Sequence, residues 1–395
     1  MGEQVVLSAV RVALDPTPRQ ARALVRHAGA ARFAYNAALA HVKAALDQRT
    51  AEATYGVPAE DLTDVPWTRF ALQRWWREHR DAVAPWWREQ ASKAYEGALN
   101  ALARGLANWA ASRKGTRKGR RVGFPRFKKR NKARAAFRFS DGFRVIGTTR
   151  VVLPRMGRVR THERLTRLAG ARILGVSVSR TAGRWYASFT IEATRHLPEA
   201  PSHRRQRAGG TVGADVGVTH LAVLSTGETV PNPKPLAVAQ RRLRSANRAH
   251  ARTQPGSAGR RRAAARLARI HARVAHLRAD GLHKLTTRLV KAHTTVVVED
   301  LNVAGMVRNR SLARAIADTG WAEFRPATHL QGPLVRLAAG RRGPVLPLDQ
   351  DLLGLRGGQS HTAAVRAHVH LLGVRAGHRP GRQRRAQPRR PGGAL

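Results

Sequence analysis

The chain has 395 residues and not one cysteine. Disulfides and cysteine-ligated zinc are therefore excluded for this sequence. Acids are scarce as well. Only 24 Asp and Glu stand against 73 Lys and Arg, a formal net charge of +49. A solvated surface needs a surplus of a few charges, and one this large points to a polyanionic partner, nucleic acid first and anionic membrane a weaker second. No apolar run reaches transmembrane length, and residues 1–11 show no signal-peptide pattern. The expected location is the cytoplasm, in association with the nucleoid. The length suffices for two or three domains with real cores.

Residues 14–50 read as helical. Asp15 and Thr17 are capping types, and LVRHAGAARFAYNAALAHVKAAL repeats apolar residues at helical spacing. Residues 66–112 read as helical too, and hold Trp67, Trp75, Trp76, Trp86, Trp87 and Trp109. Most of these are expected in the core, with one or two open to base stacking. Residues 113–138, RKGTRKGRRVGFPRFKKRNKARAAFR, carry 13 Lys and Arg and no acid. Glycines make this a loop, with Phe124, Phe127 and Phe137 interleaved. A merely solvated loop needs no spaced phenylalanines, so a phosphate-tracking element with aromatic anchors is expected. Its candidate contacts are Arg117, Lys118, Arg120, Arg121, Phe124, Arg126, Phe127, Lys128, Lys129 and Arg130.

From 137 to 193 the period shifts to two, which predicts a small antiparallel sheet or β-barrel. The first residues of the 1–136 region can add strands to it. Residues 194–210 read as a Pro/Arg/Gly linker. Residues 211–230 read as two strands joined by a tight turn. Long Arg/Ala/Leu-rich helices follow over 234–292, broken near 255–259. Val296 to Val298 form a buried strand, and 311–324 an amphipathic helix.

Two of these strands deliver a carboxylate. VGADVGV sets Asp215 among small residues, and TVVVED runs an apolar strand into Glu299 and Asp300. Alone, Asp215 reads as a turn cap, and Glu299–Asp300 reads as readily as a surface pair as a site. Together, in so basic a chain, they favour a site. Burying an unpaired carboxylate is expensive, and two acids brought together repel unless a cation lies between them. Mg²⁺ takes oxygen ligands, and a two-metal site clamps both oxygens of a phosphodiester under attack. Asp300 is set aside, because on a strand it points to the face opposite Glu299.

GADVGVTHLAVLSTGE, VVVEDLNVAGMVRN and LARAIADTGWAEFR, in that order, resemble the OrfB/TnpB proteins. These are insertion-sequence-encoded RNA-guided DNA endonucleases, long called transposases and related to the type V CRISPR effectors. The likeness extends to a helix-turn-helix-like segment, LDPTPRQARALVRHAGAARFAYNAAL, and to FPRFKKR at 124–130. The resemblance implies an α/β nuclease domain of RNase H-like (RuvC-like) fold over 211–325. It implies an all-α recognition region and a small β-barrel before that domain. Asp215 and Glu299 match two of the family's catalytic, metal-binding acids. The implied cofactors are Mg²⁺ or Mn²⁺ at those acids and a structural Zn²⁺. The implied partners are a guide RNA from the element's own end and the DNA it pairs with, sequence being read by base pairing while the protein grips backbones.

The resemblance stops after Arg325. The family continues with a strand, a four-cysteine zinc ribbon and a third catalytic Asp in a D-x-N-A-A motif. Residues 326–395 contain none of these, and no aromatic residue, Lys, Ile, Asn, Met or Glu. Globular domains are not built from that set. His329, His361, His368, His370 and His378 have no metal-binding spacing. Back-translation, with third bases chosen freely, resolves the departure when each codon is read from its second base. PATHLQGPLVRL can become RQLTYKGRWYG. The Leu352–Leu353 and Leu355–Arg356 junctions each allow a cysteine codon. Within residues 365–386 the run RTFTCSACGLVIDRDVNAA can be read. Two cysteine pairs and D-x-N-A-A appear in one frame that starts at Pro326. The tail is therefore expected to be a shifted reading frame and largely disordered, and this chain to be catalytically dead or strongly impaired.

Three other classes compete. A non-catalytic DNA- or RNA-binding protein needs no metal-dependent activity. A DDE-type transposase also uses carboxylates but joins strands, and the D-V-G hairpin and Asp–Glu spacing favour the RuvC-like reading over it. A ribosome-associated structural protein fits the charge but leaves Asp215 and Glu299 without a purpose.

Overall fold

The computed structural model describes residues 3–196, 210–299, 301–324 and 327. The expected tail, most of the linker and Asp300 lie outside them. Contacts divide the chain into two units, one of residues 1–202 with 234–282, the other of 203–233 with 283–395.

The first unit begins with a strand, so the helical reading of 14–50 starts too early. Residues of EQVVLSAVRVALD alternate, and they form β1, Glu3–Asp15. Only Thr17 caps the helix that follows. Its hydroxyl accepts from the Gln20 N–H while the Gln20 side chain accepts from the Thr17 N–H, a capping box that satisfies two orphan donors. Pro18 then opens α1, Pro18–Thr54, one uninterrupted helix of 37 residues.

Helix α2 is Arg69–Val83 and α3 is Ser92–Arg113. Leu24, Ala31, Ala38 and Ala45 on α1 and Ala94, Ala98 and Leu102 on α3 are buried, so small side chains let these helices approach closely. His27 sits inside this packing. Its Nε2 accepts the Ala91 N–H at 3.2 Å and its Nδ1 donates to the Ala23 carbonyl at 2.8 Å. Both ring nitrogens are used, which fixes a neutral tautomer.

Strands β2 (Ala136–Phe139), β3 (Arg144–Ile146), β4 (Arg150–Leu153), β5 (Gly157–Thr161), β6 (Arg172–Thr181) and β7 (Arg184–His196) join β1 in one antiparallel sheet. The order is β2-β6-β7-β1-β5-β4-β3. β1 is central: Glu3 to Ala13 pair with β7, and Leu14 and Asp15 pair with β5. Among the described residues no ladder joins β2 to β3, so the expected choice between sheet and barrel falls on an open sheet. The inward phenylalanines Phe137, Phe139 and Phe189 pack with α1 and α3 in a single core. Gly97 on α3 permits the closest approach. A Cβ there would lie 2.6 Å from the Arg138 carbonyl oxygen on β2.

The tryptophans are less buried than expected. Trp76 is a true core residue, Trp75 and Trp87 pack against the core from its margin, and Trp67 and Trp86 are exposed. Also in this unit are α4, Pro235–Ala251, and residues 258–282 of α5, Ala258–Ala292. The break between them falls where PGSAG places it. Arg260 closes that turn by donating to the His250 and Thr253 carbonyls at 3.1 and 2.8 Å.

The second unit holds β8 (Thr211–Asp215), β9 (His220–Leu224), β10 (Thr229–Pro231) and β11 (Thr295–Val298). Residues 211–230 thus form three strands and not two, because the short TVP segment pairs back onto β9. The order is β10-β9-β8-β11, with β11 parallel to β8 and the other pairs antiparallel. A parallel neighbour requires a long crossover, and the helical segment after β10 supplies it. Short helices α6, Val303–Met306, and α7, Ala313–Thr319, follow. The expected helix over 311–324 is interrupted at Gly320, whose φ of +75° ends α7, before residues 321–324 resume it. Among the described residues no helix is long and apolar enough to cross a membrane.

Candidate functional site

Val212 and Ala214 on β8, and Val296 and Val298 on β11, are buried. Burial of the alternate residues fixes the register, since a slip of one would turn every apolar side chain outward. The register pairs Thr211 with Thr295 and continues to Ala214 with Val298. Gly210 anchors its start, its carbonyl accepting from the Thr294 hydroxyl at 2.8 Å and from the Thr294 N–H at 2.9 Å. Asp215 and Glu299 each come one residue after the last pair of this ladder. Two acids far apart in sequence therefore leave the same end of two adjacent parallel strands.

Their surroundings differ from the expectation of two buried acids. Asp215 is half-buried and Glu299 exposed. Both stand at strand ends, where the apolar layer stops. The desolvation argument is thus weak here, and backbone register is what brings them together. Among the described residues no group of three or more metal-ligating side chains is gathered. The donors fit a hard cation in kind, being carboxylate oxygens open enough to leave bound water in place, as Mg²⁺ prefers. In number they supply two.

The basic segment between α3 and β2 is an irregular loop. Arg117, Lys118, Arg120, Arg121, Arg126, Phe127, Lys129 and Arg130 are exposed. Phe124 and Lys128 are half-buried and face the protein. Phe124 meets Trp109 edge-on at 4.9 Å, and Trp109 stacks on Trp67 at 5.9 Å. The Lys128 ammonium lies over the Tyr35 ring at 3.5 Å, and burial lowers its pKa. The Lys128 backbone is bound on both sides by the Asn36 amide, at 2.8 and 3.1 Å. So Phe124 and Lys128 hold the loop to α3 and α1, the Phe127 ring lies beneath the Lys43 ammonium of α1 at 5.1 Å, and the remaining seven residues form the outward face.

Two features escaped sequence reasoning. His41, Trp75 and His79 form a stack running from α1 to α2, with ring centroids 4.7 and 5.4 Å apart. Arg69, Arg104 and Arg138, from three different elements, line one cavity. The i, i+4 spacing of Trp75 and His79 was a readable signal. The convergence of three arginines from α2, α3 and β2 was not, because it depends on tertiary packing.

A protein-family profile described as "Probable transposase" matches residues 189–310, a span that contains both acids. A second, described as "Helix-turn-helix domain", matches residues 1–50, which here form β1 and most of α1. Three curated relatives carry the name "Putative RNA-guided DNA endonuclease". One from Mycobacterium tuberculosis is 35% identical over 351 residues, covering 82% of this chain and 73% of its own. One from Streptomyces pristinaespiralis is 36% identical over 330 residues, covering 82% and 74%. One from Escherichia coli K12 is 30% identical over 335 residues, covering 81% and 76%. A solved structure, a Cas12f1-sgRNA-target DNA complex, aligns over 91% of this chain and 96% of its own at 8% identity. Its TM-score is 0.38. The identity to the relatives and its extent place the chain in the OrfB/TnpB family of transposon-encoded proteins, whose curated members bear the RNA-guided DNA endonuclease name.

Proposed function

We propose that this chain derives from a transposon-associated RNA-guided DNA endonuclease of RuvC-like type. The observation that carries the reading is the parallel register of β8 and β11, which sets Asp215 and Glu299 on neighbouring strand ends. The strand arrangement supports it: three antiparallel strands, then a helical crossover to a fourth strand parallel to the first, as in the RNase H-like fold.

In this reading Asp215 and Glu299 hold Mg²⁺ or Mn²⁺, which when bound activates water and neutralises charge at the scissile phosphate. Asp215, the less exposed acid, is held by the β8 ladder and orients its carboxylate. Glu299 closes the same strand end from β11. The outward arginines and lysines of 117–130 bind the phosphate backbones of guide RNA and target DNA, without reading sequence. No zinc ribbon of the family's cysteine type is available to a chain without cysteine.

We further propose that residues 326–395 are the family's C-terminal segment read in the wrong frame. The three relatives align over only 81–82% of the chain, which leaves uncovered a share close to that of these 70 residues. Without the third acid the chain binds nucleic acid but cuts poorly or not at all. The test is to purify this chain and one with the next frame restored after codon 325, each with the RNA that co-purifies. Mg²⁺-dependent cleavage of matched DNA is then assayed. Cleavage by the restored chain alone supports both proposals. Cleavage by the chain as it stands refutes the impairment, and its persistence in Asp215→Ala refutes the site.

A further inference from the structure

In the first unit, a cavity of about 630 Å³ lies between the start of α2, one face of α3 and β2. Its floor is small: Gly97, Ala103, Ala107 and Ala110 line α3. Its polar groups come from three elements, Arg69 from α2, Asn100 and Arg104 from α3, and Arg138 from β2. No carboxylate lines it, and among the described residues none of the three arginines pairs with one. The volume lies in the range of small-ligand sites.

The arginines differ in how they are held. Arg138 is preorganised, its guanidinium donating to the Ser177 and Thr190 hydroxyls at 3.1 and 3.3 Å. Burial, and then the charge of Arg104, lower its pKa from the ordinary value. Arg104 is exposed, and its side chain makes no hydrogen bond among the described residues. Two cations facing one cavity repel, and an anion between them removes the repulsion. The Asn100 amide oxygen accepts from Gln73 at 3.0 Å, which leaves its NH₂ group to donate. Trp67 borders the cavity, with its ring braced by Trp109.

We propose that this cavity holds one unpaired nucleotide of a bound nucleic acid, its phosphate between Arg104 and Arg138 and its base against Trp67. Arginine forks match phosphate oxygens, and an indole face accepts any base. A paired base would have to give up its pairing and stacking to enter, a cost that a single-stranded ligand does not carry, so the ligand is single-stranded at this point. The proposal rests on the reading of the chain as a nucleic-acid-binding member of its family, but not on the carboxylate site. It stands or falls without cleavage.

The test uses the full 395-residue chain and two probes of equal length, a uridine RNA carrying 4-thiouridine and a thymidine DNA carrying 4-thiothymidine. Ultraviolet cross-links are mapped by peptide mass, and affinity is read by anisotropy. Cross-links in 67–69 or 97–110 are expected, with a roughly tenfold affinity loss in Arg104→Ala. Arg22→Ala, which removes an equal exposed charge from α1, is expected to change affinity less than twofold. Cross-linking of one probe only identifies the strand as RNA or DNA. Cross-links confined to 113–130 with either probe, or equal losses in Arg104→Ala and Arg22→Ala, overturn the proposal. Loss of binding by the unsubstituted chain to both probes overturns it together with the nucleic-acid reading. Failure of this chain to cleave is expected and touches neither proposal, whereas failure of the frame-restored chain touches only the carboxylate site.

Discussion

Asp215 and Glu299 stand one step beyond Ala214 and Val298, the last residues paired in the parallel β8–β11 ladder. Any change that slips this ladder separates the two acids without altering either. In a frame-restored chain, Asp215→Ala and Glu299→Ala should each abolish Mg²⁺-dependent cleavage. Both lie at open strand ends, so each should change stability by no more than about 1 kcal/mol. Cleavage assays paired with thermal melts separate loss of chemistry from loss of fold.

Gly97 lets α3 rest on β2. A methyl group there would meet the Arg138 carbonyl oxygen at 2.6 Å, and the obstacle is backbone that cannot swing aside. Gly97→Ala should therefore destabilise the first unit by about 1–3 kcal/mol despite the better helix propensity of alanine. Urea denaturation measures it. An unchanged midpoint would mean that α3 shifts freely on the sheet.

His27 makes the first unit sensitive to acid. Burial lowers its pKa below the ordinary 6.5, Arg155 lowers it further, and the Ala23 carbonyl partly offsets this. The unfolded chain thus takes up the proton first, so stability falls as pH drops below about 6.5 until the folded pKa is passed. His27→Leu should flatten that part of the stability–pH curve at the expense of its two hydrogen bonds. The comparison is melting temperature against pH over roughly 7.5 to 4.5 for both chains.

The loop at 113–138 should divide into two groups of residues. Replacing exposed Arg117, Lys118, Arg120 and Arg121 by alanine should reduce the slope of log K against log salt by ~0.7 for each single-strand phosphate left without its cation. Lys128→Ala should leave that slope nearly unchanged and loosen the loop, because its ammonium is engaged by Tyr35. Binding titrations at several salt concentrations distinguish the groups.

Much of the fold, and the strands that carry the two candidate acids, is legible in the residue pattern. The apolar run at 295–298 and the small residues around Asp215 mark the strands and both acids. The proline and glycine at 255–256 mark the helix break. Three features are hidden for physical reasons. The helical reading at the N-terminus runs back over the last residues of β1, since a strand buried on one face and a short apolar run look alike over a few residues. The inward turn of Lys128 depends on Tyr35, distant in sequence. The exposure of Glu299 depends on where the apolar layer ends, which strand period alone does not state.

β1 takes its neighbours from residues 157–161 and 184–196, so the large sheet cannot close until the ribosome has delivered β7. Any change confined to codons after 325 therefore reaches a nascent chain in which every strand of that sheet is already made.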